Sequence, residues 1–142
     1  MTIDDFFQKI CDIPNKNKGG CLLFCYLFYL QFRECKIVQY SGFGSQPIQT
    51  NIEFLEGKRE RAISSSHFTW IYRDIEYDSD GIYDEEKDWS YTPIKAILPL
   101  GNKIDDFCVN ALRYGSWNSQ FKRRKIIPLL EERFAISLEH IL

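Results

Sequence analysis

The sequence predicts an α+β domain, with a buried central helix packed on a small antiparallel sheet and further helices toward the C-terminus. Three observations carry this. Cys21 to Phe32 (CLLFCYLFYLQF) is apolar nearly all round for about twelve residues, which favours a helix buried on every side over a strand. His67 to Arg73 (HFTWIYR) and Ile75 to Asp78 (IEYD) are aromatic and β-branched runs that read as two strands joined by a tight turn at Arg73 and Asp74. The last forty or so residues return to helical spacing, with Ile104, Phe107, Cys108, Ala111 and Leu112 on one face.

Taken in order, Thr2 caps an N-terminal helix whose first turn carries Asp4 and Asp5 and whose apolar face is Phe6, Phe7, Ile10 and Cys11. Pro14 ends that segment, and residues 15–20 (NKNKGG) form a polar loop. The central helix follows, stopped by Arg33, Glu34 and Lys36. Residues 36–40 read as a short strand and residues 41–47 (SGFGSQP) as a loop. Residues 48–66 carry no decisive pattern, and their EGKRER cluster belongs on a solvated face or turn. After the hairpin, Ser79, Asp80 and Gly81 make a second turn, and residues 82–91 (IYDEEKDWSY) read as an acidic loop. Residues 94–100 (IKAILPL) read as a strand with Pro99 near its end. Asn102 caps the next helix, Gly115 stops it, and a further helix from about residue 118 to 134 is interrupted by Pro128.

One domain spanning 1–142 follows from the length, which lets a chain bury roughly 68% of its unfolded surface. At 44% hydrophobic and 15% aromatic residues, intrinsic disorder is excluded. A net charge of -2 argues against nucleic acid as a partner, and Lys122, Arg123, Arg124 and Lys125 read as a solvated helix face. The five cysteines (Cys11, Cys21, Cys25, Cys35 and Cys108) include no CxxC pair and accompany only two histidines, so neither a zinc site nor a disulfide framework is expected, and no cofactor is called for. The acidic N-terminus is unlike a signal peptide, and the longest apolar run, residues 22–30, is far short of a membrane span. A soluble, cytoplasmic protein without membrane partners is the expectation.

The chemistry concentrates on Cys21. Gly19 and Gly20 precede it, and it opens the apolar helix, where the dipole and free N–H groups lower a thiol pKa; Lys16 and Lys18 add positive potential nearby. On position alone a small core hydrophobe is the commoner reading, and it is the reading for Cys11, Cys25, Cys35 and Cys108. His67 opens the aromatic strand. A hairpin turning at Arg73 and Asp74 sets Tyr72 opposite Ile75, Ile71 opposite Glu76, Thr69 opposite Asp78 and His67 opposite Asp80. That places His67, Thr69, Ile71, Glu76, Asp78 and Asp80 on one face. Either Asp78 or Asp80 is then positioned to orient the imidazole. Trp70, Trp89 and Trp117 offer a partner surface under a non-catalytic reading, though most such rings belong in the core. Ser64, Ser65 and Ser66 lack a glycine elbow, and His140 reads as incidental.

The segments GGCLLFCYLFYL and SHFTWIYRDIEYDSDG resemble the papain-like and transglutaminase-like thiol enzymes over residues 19–81. In that superfamily a Cys opens a central helix, and the His and Asp follow on adjacent antiparallel strands. The resemblance implies a cysteine-dependent hydrolase or acyltransferase acting on a protein or peptide, with Cys21 as nucleophile, His67 as general base and acid, and Asp78 as orienter. Two departures are visible: no Trp adjoins the nucleophile, and only Asn15 and Asn17 stand where a Gln oxyanion donor is usual. A triad of this kind requires the Cys21 sulfur within about 3–4.5 Å of a His67 ring nitrogen.

Overall fold

A computed structural model describes residues 1–17, 20–114 and 123–142, the side chains of 123 and 124 excepted. Gly19, Lys18, Gly115, Trp117 and Lys122 lie outside the described residues or side chains, as do the side chains of Arg123 and Arg124.

Helix α1 (Ile3–Gln8) starts at Thr2 as the sequence predicts. The Thr2 side chain accepts from the Asp5 N–H at 3.1 Å, and the Asp5 carboxylate accepts from the Thr2 N–H at 3.0 Å, a reciprocal capping box. The helix is shorter than its apolar spacing suggests; residues 9–12 continue as turns. Helix α2 (Cys21–Phe32) is buried from Cys21 through Tyr29. It ends where Arg33 takes a φ of 63°, and the Arg33 N–H bonds the Tyr29 carbonyl at 2.7 Å.

Strand β1 (Lys36–Ser41) lies next to one edge of a five-stranded antiparallel sheet among the described residues. Its order is β4-β3-β2-β1-β5, with β2 (His67–Tyr72), β3 (Ile75–Asp78), β4 (Gly81–Ile82) and β5 (Ile94–Ile97). The β2–β3 register matches the sequence reading: Tyr72 opposes Ile75, Ile71 opposes Glu76, and Trp70 opposes Tyr77. One sheet face takes α2. The Phe28 ring lies 5.3 Å from Trp70, 5.5 Å from Tyr72 and 5.8 Å from Tyr77, and α1 adds Phe6 at 5.1 Å. Helix α5 (Ile104–Tyr114) covers α2 from the other side with Phe107, Cys108 and Ala111, all fully buried. The domain is therefore layered helix–helix–sheet, with α2 as the shared core.

Three segments depart from the sequence reading. Residues 48–66 contain most of helix α3 (Gln46–Leu55), whose Pro47 suits a first turn and whose buried residues Ile48, Asn51 and Leu55 keep helical spacing. The acidic loop holds β4 and a short helix α4 (Glu85–Asp88) capped by the Asp84 side chain on the Glu86 N–H. Helix α6 (Arg123–Phe134) runs on through Pro128 rather than being interrupted by it, forgoing one backbone hydrogen bond. No helix among the described residues is long and apolar enough to cross a membrane.

Candidate active site at the start of helix α2

The first turn of α2 projects Cys21 toward the open end of β2. There the Cys21 Sγ lies 3.4 Å from His67 Nδ1, inside the separation a thiol–imidazole pair requires. Register explains the meeting. His67 is the first residue of the central strand β2 and opposes Tyr40 on β1, so its ring stands at the end of the sheet that the N-terminus of α2 reaches. The thiol has one proton and two close acceptors, His67 Nδ1 and the Asn17 carbonyl at 3.3 Å. When the thiol donates to Nδ1, the imidazole proton lies on Nε2.

Nε2 points toward Asp88, whose Oδ2 is 3.6 Å away. That is ion-pair range but beyond a hydrogen bond, and Nε2 has no hydrogen-bond partner. Asp88 is itself held: Tyr83 Oη donates to Asp88 Oδ2 at 3.0 Å, and Trp89 Nε1 donates to Tyr83 Oη at 2.8 Å. Rings surround the imidazole, with centroids of Tyr83 at 5.4 Å, Tyr40 at 5.8 Å and Trp89 at 6.5 Å.

The structure brings Cys21 and His67 together but turns Asp78 and Asp80 elsewhere. The β2–β3 ladder ends at Trp70 and Tyr77, before Thr69 can oppose Asp78 or His67 oppose Asp80. The cause is local. Asp78 Oδ1 accepts from the Asp80 N–H at 2.8 Å, and Gly81 adopts a φ of 123°, so the chain reverses into β4. Both carboxylates then meet Asn17, whose Nδ2 donates to Asp80 at 2.7 Å and to Asp78 at 3.3 Å, while Ser79 Oγ donates to Asn17 Oδ1. The Asn17 amide is thereby committed to this turn and not aimed as an oxyanion donor. Lys16 pairs with Asp80 at 3.4 Å rather than with the thiol.

Burial, not the helix dipole, governs the thiol. Cys21 is 5% exposed, and that burial pushes its pKa up to about 11; the Phe68 N–H opposes the rise and the Asp78 charge adds to it. The expected lowering at a helix N-terminus is thus outweighed. Burial also holds His67 below the usual imidazole range, against the pull of Asp88 and Glu76. Asp78 is raised to about 6, again chiefly by burial. At neutral pH the pair rests as neutral thiol and neutral imidazole.

Asp88 and Tyr83 were not legible as site residues, and Asn17 stood out only by its place near the usual oxyanion position. The turn at 79–81 was legible, but β4 leads from it away from the His67 end of β2, with Ile82 opposite Tyr77 and the Tyr83 N–H on the Glu76 carbonyl, so the return of Asp88 to His67 is a tertiary outcome. Elsewhere, His140 is not free-standing, since its Nε2 is 2.9 Å from Tyr26 Oη, and Ser66 Oγ accepts from Gln39 Nε2 at 2.9 Å. Trp70 is fully buried. All five cysteines are free thiols. No family model matches this chain, and neither does any curated protein or solved structure.

Proposed function

We propose that this protein is a cysteine-dependent hydrolase or acyltransferase of papain-like or transglutaminase-like architecture, acting on an amide or thioester carbonyl of a protein or peptide. The observation that carries the reading is the line of three groups: Cys21 Sγ 3.4 Å from His67 Nδ1, and Asp88 Oδ2 3.6 Å from His67 Nε2. Because the resting pair is neutral, His67 works as a general base. The S–C bond forms as the Cys21 proton passes to Nδ1. The imidazolium so made is stabilised by the Asp88 carboxylate. The C–N or C–S bond of the tetrahedral intermediate then breaks as Nδ1 gives its proton to the leaving group. Water, or an amine, attacks the thioester with His67 again taking the proton, and the Cys21 thiol is released.

The test is turnover of p-nitrophenyl acetate, an activated ester that needs no recognition beyond the nucleophile. Cys21→Ala is expected to abolish turnover and the acyl-enzyme seen by intact mass. His67→Ala is expected to lower turnover by about a hundredfold or more. Wild-type rates in Cys21→Ala would overturn the reading. A second reading, a non-catalytic interaction domain, draws on the burial of Cys21 and its raised pKa; it expects no acylation of Cys21 under the same conditions.

A further inference from the structure

A nucleophile must touch its substrate, yet Cys21 is 5% exposed and the His67 side chain 14%. Among the described residues, part of the cover over the His67 member of the pair comes from one segment, residues 83–91. It lays Tyr83 and Trp89 against the imidazole and brings Asp88 to Nε2. This segment rests on ring contacts, with Tyr83 5.4 Å and Trp89 6.1 Å from the buried Tyr40. Helix α4 within it buries no residue. Two of its hydrogen bonds, Trp89 to Tyr83 and Tyr83 to Asp88, are internal and travel with it. Its ties to the rest of the fold include the Tyr83 N–H on the Glu76 carbonyl at 2.9 Å, Lys95 on Glu85 at 2.6 Å, and Tyr91 Oη on the Gly42 carbonyl at 3.4 Å. The Lys95–Glu85 pair lies at the surface, where ion pairs contribute little.

The seat of the segment is Gly42, in the loop after β1. A Cβ at that position would stand 2.5 Å from Tyr91 Oη and 3.1 Å from the Trp89 ring. Gly42 is not in the left-handed region, so its lack of a side chain serves this close approach rather than a backbone turn.

We propose that residues 83–91 form a strap that gates the thiol: seated on Gly42 it closes the His67 side of the site and holds Asp88 against the imidazole, and lifted it opens the sulfur to an incoming carbonyl. This rests on the reading of Cys21 and His67 as a reacting pair. It makes Asp88 a positioning residue delivered by a movable element, so that access and orientation of the base are coupled.

Alkylation by iodoacetamide, mapped by peptide mass, tests it, with the exposed Cys11 thiol as internal reference. In Gly42→Ala the added methyl displaces Tyr91 and Trp89; in Tyr91→Ala, at a half-exposed position, the outer tie is lost. Both variants are expected to raise the Cys21 alkylation rate relative to Cys11 by about tenfold or more, as local opening becomes easier. An unchanged ratio in a variant whose circular dichroism and thermal midpoint match wild type would overturn the strap, and Tyr91→Ala decides if Gly42→Ala does not fold. The readout is access to sulfur and not turnover. Its failure leaves the acyl-transfer reading standing, and ester turnover independent of Cys21 leaves the strap standing.

Discussion

Two carboxylates lie near the reacting pair: both charges raise the Cys21 pKa, but only Asp88 faces the imidazole. Asp88 faces His67 Nε2, while Asp78 is bound by Asn17, and its charge raises the Cys21 pKa without acting on the imidazole. Substitution should separate them. Asp88→Asn removes the charge that stabilises the imidazolium, so turnover of p-nitrophenyl acetate is expected to fall by about tenfold or more. Asp78→Asn removes a negative charge near the sulfur, so Cys21 should alkylate faster at pH 7.5 or thereabouts, while turnover stays within about threefold of wild type. Rates measured on both variants in one buffer check this, and a larger loss in Asp78→Asn than in Asp88→Asn would restore Asp78 as the orienting acid.

Helix α2 is both the core and the mount of the nucleophile. Phe28, two turns below Cys21, is fully buried and meets rings from α1, β2 and β3 as well as Phe32 at 4.5 Å. Phe28→Ala should therefore leave a cavity where several elements converge and destabilise the fold by about 3–5 kcal/mol. Urea unfolding followed by tryptophan fluorescence measures it; a change below about 1 kcal/mol would mean the core collapses onto the gap. This role was legible in the apolar run of residues 21–32. The role of α4 was not. Apart from Lys87 its residues are acidic, none is buried, and nothing in their spacing marks Asp88 apart from its neighbours Glu85 and Glu86.

The whole molecule registers Asp78 through its pH dependence. Its carboxyl titrates near 6 in the fold against an ordinary 3.8, so between those values the native state holds a proton that the unfolded chain has released. Stability contributed through this group is accordingly greatest below about pH 4 and lost as pH rises through 6. Asp78→Asn, which cannot titrate, should become more stable relative to wild type as pH rises from about 4 to 7. Thermal midpoints of both proteins across that range test the sign; a variant that loses stability relative to wild type as pH rises would contradict the raised Asp78 value. Carboxylates with lowered values, Asp12 beside Arg133 and Glu53 beside Arg59, act in the opposite direction but equally in both proteins.

Local chemistry alone determined a good deal. The α+β class, the Thr2 cap, the extent of α2 and the β2–β3 register all follow from propensity, periodicity and turn residues acting over short stretches. The helix start at Cys21 and the strand start at His67 were legible locally, but their pairing was expected only from the resemblance to thiol enzymes, and the contact itself is tertiary. The tertiary structure decided what those rules do not reach. Burial set the thiol at about 11 where the helix end alone would lower it, because removing a charge from water outweighs a partial dipole. The turn at Asp78 to Gly81 carried Asp78 to Asn17, and the strap that follows it brought Asp88 to His67, since the partner of a side chain depends on where the chain returns.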